Sequence, residues 1–203
     1  MAQQYFITGI GTGIGKTITS AVIIEKLKAD YWKPIQSGDL KQSDSLTIAD
    51  LISNEQTVIH PETYRLNQPL SPHLSAKLDG VEIELDKFIL PKTNNHLIVE
   101  GAGGLMVPLN NQDLILDLIK HLAIEVIIVS QNYLGSINHT LLTINTLKQH
   151  DIAIKGIIFN GDENLETQSY ILKYTGIKHL GNIPMLKALD KASVLEAGEN
   201  LFL

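Results

Sequence analysis

A glycine-rich loop at residues 9–17 constrains the fold of this chain more than any other segment. It reads Gly-Ile-Gly-Thr-Gly-Ile-Gly-Lys-Thr, and it lies between a short apolar run (Tyr5, Phe6, Ile7) and a segment that predicts a helix over 17–28. Glycines let backbone N–H groups turn towards one point, and the following helix adds unpaired N–H groups and the positive end of its dipole. A strand, a glycine-rich loop and a helix in this order are typical of a phosphate-binding loop.

The residues of this loop have distinct expected roles in binding a nucleotide. The charge of Lys16 is expected to reach the outer phosphates, and the hydroxyl of Thr17 is expected to bind Mg²⁺. The spacing departs from the common pattern, because Ile10 stands where the first glycine is required. A glycine-rich turn without a ligand is the alternative, but Gly-Lys-Thr at a strand-to-helix junction favours phosphate binding. The predicted nucleotide-binding residues are Gly11, Thr12, Gly13, Ile14, Gly15, Lys16, Thr17 and Ile18.

The composition narrows the classes of function. The chain has 203 residues, a formal net charge of −6 and no cysteine. Its negative charge does not favour nucleic acid or an anionic membrane as a partner, and without cysteine there is no disulfide, thiolate metal site or cysteine nucleophile. No apolar run approaches the roughly 20 residues of a membrane span, and no signal peptide is evident before the first predicted strand. We therefore expect one domain over residues 1–203 and a cytoplasmic protein.

Apolar strands alternate with helical patterns along the chain. The predicted strands cover 4–8, 31–32, 96–100, 126–129, 154–160 and 178–183. The predicted helices cover 17–28, 43–53, 85–90, 114–122, 135–149, 164–174 and 188–197. Because the strands are continuously apolar, they indicate a mostly parallel sheet that is buried on both faces. We predict a single-domain α/β fold of the P-loop NTPase type, with helices on both faces of the sheet and a long irregular connection over 55–79.

Charged residues follow the predicted strands where each strand ends. Lys33 comes directly after the Tyr31–Trp32 run, Glu100 ends an apolar strand, and Asp44 opens the next predicted helix. The carboxyl ends of parallel strands meet at one edge of the sheet, so these side chains are expected to lie close to the glycine loop. Thr17, Asp44 and Glu100 offer hard oxygen ligands. This edge therefore predicts Mg²⁺ bound together with nucleotide phosphates.

Short motifs occupy many of the predicted strand ends and loops. They are Gly-x-Gly-Thr-x-x-Gly-Lys-Thr (9–17), Lys-Pro-Ile-Gln-Ser-Gly (33–38), Ser-Asp (43–44), Leu-Ser-Pro-His (70–73), Glu-Gly-Ala-Gly-Gly (100–104), Leu-Gly-Ser-Ile-Asn-His (134–139), Asn160 and Gly-Asn-Ile-Pro (181–184). In combination they resemble the ATP-dependent dethiobiotin synthetase family over nearly the whole chain. The first motif is shared with many ATPases, whereas its combination with the second and fifth is much more specific. The family often has acidic residues at and near Gly13, so this loop carries less negative charge.

The resemblance implies a ring-closing reaction in biotin biosynthesis. The family converts 7,8-diaminononanoate, CO₂ and ATP into dethiobiotin, ADP and phosphate. One amine takes up CO₂ as a carbamate, and a carbamate oxygen attacks the γ-phosphate to give a carbamic-phosphoric anhydride. The second amine then attacks the carbonyl carbon and expels phosphate. No protein nucleophile is needed, but cations must offset the repulsion among these anions.

The resemblance also implies roles for individual residues. Lys33 is expected to face the carbamate and the γ-phosphate, with Lys16 and Thr12 as further catalytic residues. Asn160 and Pro184 match adenine-binding positions. In this family the substrate carboxylate is bound by the N-terminal end of a helix of the neighbouring subunit, which implies a homodimer with a shared active site. The implied substrate-binding residues are Ser37, Pro72, Gly104, Ser136, Ile137 and Asn138.

Two other functions are compatible with the same kind of fold. One is an amide-forming ligase for a larger carboxylated substrate; such relatives often carry a glutamine-hydrolysing domain with a nucleophilic cysteine, and this chain has no cysteine. The other is a nucleotide-switch ATPase of the partitioning or cell-division type. Those proteins usually have an extra lysine early in the loop, whereas no lysine stands between residues 2 and 15 here. The segment 195–203 is acidic and interrupted by glycine, which does not favour a membrane-binding helix.

Overall fold

The computed structural model describes residues 2–203 and contains a seven-stranded sheet in which every strand pairing is parallel. The strands are β1 (Gln4–Gly9), β2 (Asp30–Trp32), β3 (Ile35–Ser37), β4 (Ile59–His60), β5 (Tyr64–Leu66), β6 (Leu97–Glu100), β7 (Glu125–Gln131), β8 (Ile154–Asn160) and β9 (His179–Ile183). The helices are α1 (Lys16–Leu27), α2 (Asp44–Leu51), α3 (Pro72–Asp79), α4 (Ile115–Leu122), α5 (Ser136–Gln149), α6 (Leu165–Thr175) and α7 (Lys191–Gly198). The sheet has the order β4-β2-β6-β1-β7-β8-β9, and β3 and β5 form a separate parallel pair. None of the helices in residues 2–203 has the length and hydrophobicity that a membrane span requires.

Both faces of the large sheet are buried under helices. Along β1, Phe6 points into one apolar cluster, and Tyr5 and Ile7 point into the other, as the alternation of side chains in a strand requires. Helices α1, α2 and α7 cover the face that contains Tyr5 and Ile7. Helices α3, α4, α5 and α6 contribute to the cluster on the opposite face. The predicted α/β fold with helices on both faces is therefore confirmed.

The middle of the sheet determines where the functional groups lie. Strand β1 pairs with β6 on one side and with β7 on the other, and β2 lies beyond β6. The glycine loop follows β1, Lys33 directly follows β2, and Glu100 is the last residue of β6. Because these three strands are parallel, all three features lie at the same edge of the sheet.

The main differences from the sequence-based expectation lie between residues 35 and 90. The connection at 55–79 is not irregular throughout, because it contains β4, β5 and α3. The two strands have only two and three residues, too few to show a periodic pattern. Pro72 does not interrupt a helix but occupies the first turn of α3, where proline lacks only an N–H that needs no partner. The predicted helix at 85–90 is a single 3₁₀ turn at Leu85–Lys87.

Glu25 connects α1 to the segment that follows α2. Its carboxylate accepts hydrogen bonds from the N–H (2.7 Å) and the hydroxyl (2.6 Å) of Ser53 and from the N–H (3.3 Å) and the side chain (3.2 Å) of Asn54. Burial by itself raises the pKa of the Glu25 carboxyl, but the hydrogen bonds from Ser53 and Asn54 outweigh it and hold this pKa below its ordinary value. The charged form of Glu25 therefore stabilises the folded chain.

The change Glu25→Gln is expected to lower the free energy of unfolding by about 1–3 kcal/mol near neutral pH, because the amide cannot accept all four bonds. A carboxyl with a depressed folded-state pKa stabilises above its unfolded pKa of about 4, and that stabilisation is lost as the pH falls through the folded-state value. The difference between wild type and variant should therefore shrink towards about pH 3 in urea-unfolding experiments. Glu55→Gln, at an exposed position, is the matched control. A difference that does not change with pH would contradict this role.

Candidate active site

A cavity of about 650 Å³ opens where β1, β2 and β6 end. Four segments form its walls: the glycine loop with the start of α1, the segment from Lys33 to Asp44, the turn at 69–72, and the loop from Glu100 to Val107. The predicted site residues that line it are Thr12, Gly13, Gly15, Lys16, Thr17, Ile18, Lys33, Ser37, Asp44, Pro72 and Glu100. The parallel sheet thus brings together residues that are far apart in the sequence.

Four of these residues form one polar cluster. The ammonium of Lys33 lies 2.5 Å from Oδ2 of Asp44 and 2.9 Å from Oε1 of Glu100, and it also donates to the carbonyl of Gly101 at 3.2 Å. The hydroxyl of Thr17 lies 2.9 Å from Oδ1 of Asp44 and 3.0 Å from Oε1 of Glu100. Its single proton can be donated to only one of these oxygens at a time. Two carboxylates, one hydroxyl and one ammonium therefore form one connected set of contacts at the cavity wall.

The charges of this cluster keep Lys33 protonated. Its side chain is only 5% exposed, and burial by itself lowers the pKa of an ammonium group. The negative charges of Glu100 and Asp44 outweigh burial and raise the pKa of Lys33 above its ordinary value. Burial likewise raises the pKa of the Asp44 carboxyl, but Lys33 outweighs this and holds that pKa below its ordinary value. Lys33 consequently presents a fixed positive charge at the cavity over the whole neutral range of pH.

Lys16 is a second ammonium group with a different environment. It reaches back over the glycine loop and donates to the carbonyl of Gly11 at 3.1 Å. The pKa of Lys16 is lowered to about 8, chiefly because the ammonium is buried; the nearby charge of Glu100 offsets only part of the effect of burial. An anionic ligand at this position stabilises the charged form of Lys16.

The glycine loop is attached to the end of β8. The side-chain amide of Asn160 donates to the carbonyl of Ile14 at 2.9 Å. Gly15 has a φ of 87°, and a Cβ on Gly15 would lie 2.1 Å from Nδ2 of Asn160. Only glycine fits here, because both the left-handed backbone and the close approach of Asn160 exclude a side chain. Asn160 thereby fixes the glycine loop against the end of β8.

The oxygen atoms of Thr17, Asp44 and Glu100 fit a hard divalent cation. Mg²⁺ prefers one or two carboxylates, completed by phosphate and water, to a cage made entirely of protein ligands. In the described part of the chain, no group of three or more His, Asp or Glu side chains is arranged to hold a metal ion. By the coordination preference of Mg²⁺, the two carboxylates and the hydroxyl suit a cation that arrives with a nucleotide.

Two residues that the sequence analysis did not single out support this cluster. The hydroxyl of Tyr31 donates to Oε2 of Glu100 at 3.0 Å. The side chain of Gln36 accepts from the N–H of Asp44 at 3.2 Å and donates to the carbonyl of Gly38 at 3.0 Å, which ties the start of α2 to the preceding loop. Tyr31 precedes Lys33 by two residues. Because side chains two residues apart in a strand point to the same face, the sequence could have indicated that Tyr31 points the same way as Lys33.

Comparison with known proteins identifies the family. The model of a family described as "AAA domain" matches residues 3–193. The ATP-dependent dethiobiotin synthetase BioD of Cytophaga hutchinsonii is 50% identical over 201 residues, which cover 98% of this chain and 97% of that protein. This chain belongs to the dethiobiotin synthetase family. The protein of the same name from Christiangramia forsetii is 49% identical and covers 98% of this chain and 96% of its own length.

Similarity to solved structures confirms the type of fold. The cell division ATPase MinD of Pyrococcus furiosus superposes with a TM-score of 0.57 at 15% identity, and the match covers 98% of each chain. At this identity the likeness shows the fold alone. The P-loop NTPase architecture is therefore shared between the dethiobiotin synthetase family and the nucleotide-switch ATPases considered above, and the fold does not distinguish their functions.

The remaining residues that the dethiobiotin synthetase resemblance implies lie outside the first cavity. Gly11 and Gly104 line a second cavity of about 370 Å³, which they share with Thr12. Pro184 lines a third cavity of about 580 Å³ together with Gly161, the neighbour of Asn160. At the start of α5, Ser136 is buried, Ile137 is half-buried and Asn138 is exposed, and none of the three lines the first cavity. Within one chain, the structure therefore does not bring the helix-end residues to Lys16 and Lys33.

Proposed function

We propose that this chain closes the cyclic urea ring of dethiobiotin at the cavity between the glycine loop and Lys33. The observation that carries the proposal is the convergence of two ammonium groups with the Thr17, Asp44 and Glu100 oxygens. Its proposed substrates are 7,8-diaminononanoate, CO₂ and ATP, and its products are dethiobiotin, ADP and phosphate. The chemistry requires positive charge where several anions meet, and the ammonium groups of Lys16 and Lys33 would supply it.

The proposed nucleotide site begins at the glycine loop. The N–H groups of residues 11–18 would surround the phosphates, with Lys16 close to the outer ones. Asn160 and Pro184 would contact the adenine, since Asn160 already donates to Ile14 of the loop and Pro184 lines the same cavity as Gly161, the neighbour of Asn160. The positive end of the α1 dipole adds to the attraction for phosphate.

The proposed catalytic role of Lys33 follows from its fixed charge. It would neutralise the carbamate oxygen and the γ-phosphate as they approach, and it would stabilise the charge that develops during phosphoryl transfer. The substrate supplies both nucleophiles, the carbamate oxygen first and the second amine afterwards. Thr12 and Ser37 would hydrogen-bond around the reacting groups, and the hydroxyl oxygen of Ser37 is buried at the cavity without a hydrogen-bond partner. Catalysis then rests on positioning and electrostatics.

We propose Mg²⁺ as the divalent ion, with Thr17, Asp44 and Glu100 as its protein ligands. When bound, Mg²⁺ supplies positive charge that offsets the repulsion among the phosphate oxygens. Lys33 contacts the same two carboxylates. Its contacts with Asp44 and Glu100 would weaken as the cation binds, which leaves the ammonium available to the γ-phosphate.

We propose that the active site is shared between the two subunits of a homodimer. Helix α5 begins at Ser136, and the N–H groups of Ile137 and Asn138 have no acceptor within the helix, as in the first turn of any helix. Such a helix end suits the carboxylate of the substrate. Large apolar side chains lie exposed near it, with Leu134 fully exposed and Leu142 and Met106 more than half exposed. Burial of this surface against a second copy would bring the helix end to the neighbouring cavity.

The proposal assigns the activity to residues 1–203 as one domain, in the cytoplasm, with no nucleic-acid or membrane partner. The seven-stranded sheet takes strands from Gln4 to Ile183, which supports the assignment to one domain. The nucleotide-switch alternative has the same fold but predicts no reaction of CO₂ with an amine. The two functions are therefore distinguished by the product, and not by ATP hydrolysis alone.

The experiment that tests the proposal combines the purified chain with Mg-ATP, ¹⁴C-bicarbonate and 7,8-diaminononanoate. Acid-stable label in a cyclic urea, formed together with ADP and only when all three substrates are present, is the expected result. Omission of each substrate in turn is the control. ADP without labelled urea would contradict the proposal and would leave a nucleotide-binding fold with another substrate.

A further inference from the structure

The register of two strands places Tyr31 beside Glu100. In the β2–β6 pairing Tyr31 lies opposite Ile98, and Glu100 is two residues further along β6. Residues two apart in a strand point to the same face, and a diagonal neighbour is within reach of a long aromatic side chain. Tyr31 is completely buried, and its hydroxyl donates to Oε2 of Glu100 at 3.0 Å.

The two oxygens of the Glu100 carboxylate therefore have separate partners. Oε2 is engaged by Tyr31, whereas Oε1 faces Thr17 and Lys33 at 3.0 and 2.9 Å. Without the hydroxyl, Oε2 would be a buried acceptor with no partner, and the carboxylate would be free to rotate towards Lys33. In this orientation the carboxylate directs one oxygen to Tyr31 and the other to the cavity.

We infer that Tyr31 is a positioning residue that holds Glu100 with a single oxygen directed to the divalent-cation site. The inference rests on the proposed metal role of Glu100 and adds to it a residue that does not line the cavity. Mutation of a group that orients a metal ligand in this way typically lowers metal affinity about 10- to 100-fold. Burial, together with the charges of Glu100 and Asp44, raises the pKa of the Tyr31 phenol well above its ordinary value. The hydroxyl therefore stays protonated and can donate its hydrogen bond to Glu100.

The chain offers a closely matched control. Tyr5 lies opposite the same Ile98 from the other neighbouring strand, β1, and is equally buried. Its hydroxyl oxygen is buried without a hydrogen-bond partner and does not touch Glu100. Tyr5→Phe and Tyr31→Phe therefore remove the same atom from flanking positions, and only one of them acts on the carboxylate.

The test measures Mn²⁺ binding to the ADP complex by electron paramagnetic resonance, which needs no turnover. Tyr31→Phe is expected to weaken Mn²⁺ binding about tenfold, whereas Tyr5→Phe leaves it unchanged. ADP binding in the presence of EDTA should be the same in both variants. Glu100→Gln should also weaken Mn²⁺ binding, and adding Tyr31→Phe to Glu100→Gln should weaken it no further, because the hydroxyl acts through the carboxylate.

The Mn²⁺ affinities of Tyr31→Phe, Glu100→Gln and the double variant together decide whether Tyr31 positions Glu100. Mn²⁺ affinity within twofold of wild type in Tyr31→Phe, or additive effects in the double variant, would overturn it and leave the proposed function intact. Unchanged Mn²⁺ affinity in Glu100→Gln would overturn both this inference and the metal role of Glu100. Thermal unfolding of each variant is measured first. If Tyr31→Phe proves unstable, the same comparison is made at low temperature. A variant that binds Mn²⁺ more weakly but still binds ADP normally without metal is folded, and its defect is then in the positioning of Glu100.

Discussion

Replacing Lys33 with Gln is expected to reduce dethiobiotin formation about a thousandfold while ATP still binds, because the variant loses the charge that opposes the developing anions. Gln can hydrogen-bond to Asp44 or Glu100 but cannot neutralise either carboxylate. The glycine loop and Lys16 are unchanged, so the nucleotide retains its principal phosphate contacts. Product formation is measured with the labelled-bicarbonate assay, and ATP binding is measured by calorimetry.

The control for this variant is Lys92→Gln, which removes the same charge from an exposed position away from the cavity. It should leave product formation unchanged. Lys33→Gln also places two carboxylates side by side without a cation, and the removal of one partner from a buried ion pair is destabilising. Thermal unfolding of both variants therefore sets the assay temperature. Wild-type turnover in a folded Lys33→Gln enzyme would exclude Lys33 from the mechanism.

Mixing two inactive variants is expected to restore activity if the subunits share their sites. Lys16→Gln removes the phosphate contact from one subunit's loop, and Asn138→Asp places a negative charge at the helix end that would repel the substrate carboxylate. Each variant alone should be nearly inactive. In a mixed dimer, one of the two sites combines an intact Lys16 with an intact helix end. Random pairing in equal amounts therefore predicts about a quarter of wild-type activity.

A second mixture provides the control for shared sites. Lys16→Gln and Lys33→Gln affect residues that line the same cavity of one subunit, so their mixed dimers contain no intact site. This mixture should stay inactive. Native mass spectrometry of differently tagged chains establishes that mixed dimers have formed. If demonstrated mixed dimers of Lys16→Gln and Asn138→Asp remain inactive, the proposal of a shared site is wrong.

The features that the sequence predicts well depend on local patterns. The glycine loop between a strand and a helix is recognisable from the residue types alone, and the apolar strands β1, β6, β7 and β8 stand out as continuous runs. Lys33 and Glu100 are predicted at strand ends, and the parallel sheet explains why they meet. In the structure, Lys33 contacts the carboxylates of Asp44 and Glu100, and Thr17 contacts the same two carboxylates.

The features that the sequence does not predict depend on contacts between distant segments or on very short elements. The hydrogen bond from Asn160 to Ile14 spans 146 residues, and nothing near either residue indicates it. Strand β4 has two residues and is defined by its pairing with β2 and not by its own composition. The role of Tyr31 likewise depends on its register against β6, because an aromatic residue in an apolar strand is otherwise expected to be part of the core.

The most direct test of the proposed reaction follows one oxygen atom from bicarbonate into phosphate. If a carbamate oxygen attacks the γ-phosphate at the Lys33 cavity, wild-type enzyme supplied with ¹⁸O-labelled bicarbonate, ATP and 7,8-diaminononanoate should release phosphate that carries one ¹⁸O atom, with none in ADP. Mass spectrometry of the phosphate, taken at the earliest times before label exchanges with water, gives the result. Dethiobiotin formed together with unlabelled phosphate would contradict the carbamic-phosphoric anhydride and the role proposed for Lys33.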